Sequence, residues 1–156
     1  MTATSTRHGR MRRFATAFVA GALLIAAFIE VRAAEHDWVV IVHPANPLRA
    51  MKRTELERVW RRSTKFWADG SAVVPLNLPG GQPLREAFQQ AVLRSYDEEL
   101  AQWWNRAYFQ GVSPPVVLQT GAAVKAYVAA TPGAIGYIPA SDADPTVRVL
   151  EVDLGH

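Results

Sequence analysis

Between Val73 and Phe88 the chain changes periodicity within one short stretch, and few architectures accommodate that change. Val73, Val74 and Leu76 favour a buried strand, with Pro75 predicting an edge strand or a bulge. Gly80-Gly81 can take positive φ and turn the backbone tightly. Pro83 suits a first helical turn, and Leu84, Phe88 and Val92 then recur every fourth residue along one face of a helix reaching about Arg94. A strand that turns through glycines into a helix N-terminus is either an ordinary connection or an anion cradle, because free N–H groups and the helix dipole converge there. On spacing alone both readings stay open.

The alternation of strand and helix runs through the rest of the chain. Residues 37–43 form a continuous apolar run that predicts a fully buried strand, ended by Pro44-Ala45-Asn46-Pro47. Thr54-Glu55-Leu56-Glu57 reads as a capping box. The helix it opens puts Leu56, Val59 and Trp60 on one face and Arg58, Arg61 and Arg62 on the other. Asp69-Gly70 marks a turn. Ser95-Tyr96-Asp97-Glu98 reads as a second capping box, before an apolar stripe of Leu100, Trp103, Trp104, Ala107 and Tyr108. Val116, Val117 and Leu118 predict a short strand, and Thr120 caps a helix in which Val124, Tyr127 and Val128 face inward. Residues 134–138 and 147–152 are further strands. Strands alternating with helices predict an α/β domain, a mixed sheet flanked by helices.

That domain begins after a leader. Arg7, Arg10, Arg12 and Arg13 precede an apolar run from Phe14 to Ile29, and Val31-Arg32-Ala33 places small residues where a signal peptidase cuts. The expectation is a signal peptide over residues 1–33, cleaved after Ala33, and a single periplasmic domain over 34–156. The alternative is an uncleaved anchor, for which the run is short of the roughly 20 residues a spanning helix needs. Arg12-Arg13-Phe14 leaves Sec and twin-arginine export undistinguished. The leader also accounts for the basic balance: of 17 Lys+Arg and 14 Asp+Glu, five and one fall in residues 1–33, leaving 12 basic against 13 acidic. Nucleic acid is therefore not an expected partner. The chain has no cysteine, which excludes disulfides and thiolate chemistry.

Catalytic patterns are absent. No His-Glu-x-x-His, Gly-x-Ser-x-Gly or Gly-Lys-Ser/Thr sequence occurs, and His43, beside a proline, reads as a structural histidine. Asp97, Glu98 and Glu99 point in different directions from a helix and complement its dipole rather than hold a metal. No enzyme activity, metal or cofactor is expected. From Arg49 to Lys65 seven basic and two acidic residues occur, with Trp60, Phe66 and Trp67 among them. That run is either a solvated helix face or a surface for an acidic partner, for which Arg58, Arg61 and Arg62 are the candidates.

Three stretches resemble the phosphate-specific periplasmic solute-binding proteins of ABC transporters. Val42-His43-Pro44-Ala45-Asn46-Pro47-Leu48 with the helix through Trp60 is similar to the family's Asn-Pro segment, and Lys65 and Trp67 loosely keep its Phe-x-Gly-Lys-x-x-x-Trp. Arg85-Glu86-Ala87-Phe88 is similar to the end of Arg-x-x-Gly-Ser-Gly-Thr-Arg-x-x-Phe. Pro132-Gly133-Ala134-Ile135-Gly136-Tyr137 matches the family's Pro-Gly-Ala-Ile-Gly-Tyr. The resemblance runs from about Val39 to Val149 and implies one lobe of a type II periplasmic-binding-protein-like fold.

The departures are informative. Aligning Arg85 with the family's second arginine puts Leu78 where its ligand-binding arginine stands, with Gln82, Pro83 and Leu84 replacing serine, glycine and threonine. Leucine donates nothing and proline has no N–H. What the resemblance implies here is weak binding of a small anion or solute at Gly80, Gly81, Gln82 and Arg85, with Thr120 and Gly121 at a facing helix N-terminus, or a fold kept after the ligand was lost. Members of the family close two lobes on their ligand. A single lobe is an open shelf, so a second copy or another periplasmic or membrane protein is the expected means of closing it. The competing reading is an interaction module with no small-molecule ligand, using the Arg49–Lys65 face.

Overall fold

The computed structural model describes residues 37–155; the expected signal peptide over 1–33 and its cleavage after Ala33 lie outside them. In chain order the elements are β1 (Trp38–Val42), β2 (Ala50–Lys52), α1 (Arg53–Trp60), β3 (Val74–Asn77), α2 (Pro83–Phe88), α3 (Asp97–Tyr108), β4 (Val116–Val117), α4 (Gly121–Ala130), β5 (Ala134–Pro139) and β6 (Arg148–Asp153). The six strands form one mixed sheet in the order β2-β6-β1-β5-β3-β4. β1 sits inside it, antiparallel to β5 and β6, while β3 runs parallel to both β5 and β4. Central position explains the unbroken apolar run: Val40, Ile41 and Val42 are fully buried, because both faces of β1 are covered.

The core is an aromatic cluster where helices meet the sheet. Phe88 stacks on Tyr137 with centroids 4.0 Å apart, Trp60 tilts against Phe88 at 4.7 Å, and Trp38 meets Phe88 edge-on at 5.2 Å. The Trp60 indole N–H donates to the Leu76 carbonyl at 3.2 Å, tying α1 to β3. Burying these four rings is a large share of what holds a cysteine-free domain together.

Two glycines are required by close approach. A Cβ on Gly133 would lie 2.2 Å from the Ala72 carbonyl oxygen, and one on Gly136 2.5 Å from Val124 Cγ1. The first lets β5 meet β3, where the Val74 N–H donates to the Gly133 carbonyl at 3.0 Å. The second lets α4 lie on β5.

Several local expectations are corrected. Pro75 lies in an interior strand, not at an edge. Val74 gives its N–H to β5, so the next amide position faces β4, whose pairing begins only at Leu76. α1 starts at Arg53, and Glu55, not Glu57, accepts from the N-cap N–H, that of Lys52, at 2.7 Å. Glu57 is drawn away by Arg53 and Arg61, at 2.9 and 3.0 Å. The helix from Pro83 becomes a π-helix over Gln89–Leu93 and stops at Arg94 in the left-handed region, φ 50. The Ser95 box does not form: the Ser95 hydroxyl donates to Leu93 O, and Tyr96 is the N-cap of α3. Tyr108 and Tyr127 are exposed, whereas Leu100, Ala107, Val124 and Val128 are buried. β2, too short to show a period, was not anticipated. Among the described residues no helix is long and apolar enough to cross a membrane.

Candidate functional site

β3 delivers the chain to the turn at 78–82, and α2 leaves from it. Gly81 takes φ 77, and the space where its side chain would stand is open. Gln82, the N-cap of α2, makes no side-chain cap to its own helix. Its Nε2 donates instead to the Gln119 carbonyl at 3.2 Å. That bond seats the turn against the start of α4, where the Thr120 hydroxyl accepts from the Ala123 N–H at 3.1 Å. Gly121 packs closely on Pro139: a Cβ would sit 3.2 Å from Pro139 Cδ, a few tenths of an ångström inside ordinary contact. The turn at residues 80–82 thus meets the start of α4 at residues 119–121, and this junction is the mouth. The amides of Gly121 and Ala122 precede any intrahelical acceptor, as first-turn amides do.

Arg85 is placed differently. Its Nη1 donates to the Leu78 carbonyl at 2.6 Å and its Nε to Gln89 Oε1 at 2.7 Å. The guanidinium is thereby tied to the turn at Leu78 and to the continuation of its own helix at Gln89. Leu78 is itself core, 1% exposed, and its N–H faces Asn77 Oδ1 at 3.1 Å and the Tyr137 hydroxyl at 3.3 Å. The Tyr137 hydroxyl donates in turn to Asn77 Oδ1. This network of Asn77, Leu78, Arg85, Gln89 and Tyr137 was not foreseen. Tyr137 stood inside a noticed motif, but nothing in its spacing signalled that its hydroxyl would reach β3.

The basic face also divides. Arg61 pairs with Glu57, reaches the Ser95 hydroxyl at 3.3 Å, and lies over the Trp103 ring at 5.3 Å, holding α3 to α1. Arg62, in the left-handed region, donates to the Val73 carbonyl at 3.0 Å. Arg58 is exposed, and its guanidinium donates to the Thr54 carbonyl of its own helix. His43 Nδ1 accepts from the Ala45 N–H at 3.1 Å, the structural role expected of it. Among the described residues no three His, Asp or Glu side chains gather as a metal site.

No protein-family model and no curated protein matches the chain. Solved structures do match its fold. A Clostridium perfringens protein described as a phosphate ABC transporter substrate-binding protein, solved with phosphate bound, superposes with a TM-score of 0.63 at 22% identity, over 77% of this chain and 46% of its own. An ABC-type phosphate transport receptor from Vibrio cholerae gives 0.61 at 16% identity, over 74% and 46%. PstS from Borrelia burgdorferi gives 0.60 at 16%, over 74% and 47%. The chain spans about half the length of these structures, and its fold is that of one lobe of a periplasmic-binding-protein-like architecture.

Proposed function

We propose that the chain is an exported, non-catalytic binding lobe that takes a small anion or polar solute weakly, at the mouth between residues 80–82 and 119–121. The observation that carries this reading is the Gln82–Gln119 hydrogen bond, which sets a glycine turn against a helix N-terminus. The likeness to phosphate-binding structures supports the class of ligand, and Arg85 sets the strength. Its Nη1 and Nε donate to the Leu78 carbonyl and Gln89, and position 78 itself carries leucine, so Arg85 has only its remaining N–H groups to offer a ligand. An oxyanion there would meet backbone amides and the Gln82 amide, with water competing on an open shelf.

Thermal unfolding of the chain after leader removal, with phosphate, sulfate and neutral solutes at about 10 mM, tests this. A ligand of about 1 mM Kd adds about 1.4 kcal/mol at that concentration. In a domain of this size that raises Tm by about 6 °C. A flat panel overturns the solute reading. A rise of more than about 20 °C with phosphate overturns its weakness, because it needs a Kd near 1 μM.

A further inference from the structure

The C-terminal end of α1 carries a second surface, whose argument stands whether or not the mouth binds a solute. The helix ends through Arg62, and the N–H groups of Ser63 and Thr64 both turn back to the Arg58 carbonyl, at 2.8 and 3.1 Å. The chain then runs alongside residues 72–73. The Val73 N–H donates to the Lys65 carbonyl at 2.9 Å, and Phe66 bridges to Ala72. These contacts bring the backbones of Arg58, Lys65 and Phe66 together as one lip at the C-terminal end of α1. Arg58 and Lys65 are exposed, and Phe66 keeps 64% of its surface in water.

The charges of the basic run divide around this lip, with Lys52, exposed and in no ion pair among the described residues, at the opposite end of α1. Arg53 and Arg61 are neutralised by Glu57, Arg62 is held by Val73, and Arg49 reaches the carbonyls of Pro47 and Leu48. Arg58 and Lys65 pair with no carboxylate among the described residues. The acid in the adjoining turn, Asp69, is engaged by the N–H and hydroxyl of Ser71. At this end of α1, then, two uncompensated cations and an exposed aromatic residue come close together along the chain, while the helix's own aromatic, Trp60, is buried.

We propose that this lip docks an acidic segment of another protein, its carboxylates on Arg58 and Lys65 and an apolar side chain on Phe66. Charge and size select that occupant. A phosphate backbone is held by many cations at once, and a bilayer by a polybasic cluster with a buried apolar face. Two cations and one ring fit a short peptide. Residues 34–156 carry 12 basic and 13 acidic groups, so the remaining surface gives an extended polyanion no general attraction. Arg61 and Arg62 serve the lobe itself, and the docking role passes from the Arg58, Arg61 and Arg62 set to Arg58, Lys65 and Phe66.

The test is fluorescence anisotropy of a dye-labelled peptide of about ten alternating aspartates and glutamates with a central phenylalanine, titrated with the full chain at about 0.15 M salt. Saturable binding is expected in the range of roughly 10–100 μM. Arg58→Glu and Lys65→Glu should each weaken it about tenfold and Phe66→Ala about threefold. Arg106→Glu, the same charge change on exposed α3 surface, should change it less than about twofold. Arg58→Gln and Lys65→Gln, at about threefold, cover a reversal that unfolds the chain. An equal loss from Arg106→Glu, or no saturation by about 1 mM, overturns the proposal. So does tighter, Lys65-dependent binding to phosphatidylglycerol vesicles than to the peptide.

Discussion

Replacing Arg85 by methionine asks whether its guanidinium belongs to the lobe or to a ligand. The side chain makes two short hydrogen bonds from a charged donor, 2.6 Å to the Leu78 carbonyl and 2.7 Å to Gln89 Oε1. Bonds of that kind contribute about 1.5–3 kcal/mol each, and half-burial of Arg85 places these at the lower end. Methionine keeps most of the aliphatic packing of the stem, so the loss isolates the head group. Beneath it the carbonyl of buried Leu78 loses its charged donor. The sum is about 2–4 kcal/mol, or a fall in Tm of about 8–16 °C for a domain of this size. Urea unfolding followed by tryptophan fluorescence reads it directly, since Trp38 and Trp60 pack on Phe88, in the same helix as Arg85. A loss below about 0.5 kcal/mol, together with disappearance of an anion-induced Tm rise, would refute the reasoning and return Arg85 to the mouth.

Two further outcomes follow from the geometry. Gly136→Ala puts a methyl 2.5 Å from Val124 Cγ1, and a helical valine has essentially one rotamer to offer, so the change should cost about 1–3 kcal/mol by urea unfolding; an unchanged midpoint refutes the close approach of α4 and β5. Asp144 is held down to about 2 by the Lys125 ammonium, and further by Thr146. A folded pKa below the unfolded one means that its contribution to stability is present above about pH 4 and is lost as pH falls through about 2. An NMR titration should place its midpoint near 2, and Lys125→Met should move it up toward the ordinary carboxylate range; a midpoint already near 4 in the parent chain refutes the pairing.

The sheet was the legible part. β1 and β5 declared themselves as unbroken apolar runs, because a strand covered on both faces has no polar side to show. Thr120 was legible as a cap because its donor, the Ala123 N–H, lies three residues away. The boxes at Thr54 and Ser95 failed for the opposite reason. Glu57 and Ser95 found stronger or nearer partners in Arg53, Arg61 and the Leu93 carbonyl. The approach of residues 80–82 to residues 119–121 could not be read from local pattern. Gln82 and Gln119 lie far apart in the chain, and the bond made by Arg85 depends on where the fold leaves the Leu78 carbonyl. Local pattern reports the propensity of a segment; it does not report which distant atom will compete for a side chain.

The strand order has a consequence for how the chain becomes folded. β1 is the first strand of the described residues, yet both its neighbours, β5 and β6, come from the far end. Each pairing closes a loop of roughly 100 residues, so local contacts form first and the middle of the sheet waits for them. A chain that emerges N-terminus first cannot complete its central strand until nearly all of it has emerged. Before then, residues 38–42 are an unpaired apolar segment, the part of the molecule most exposed to mispairing and the natural site for a chaperone to hold.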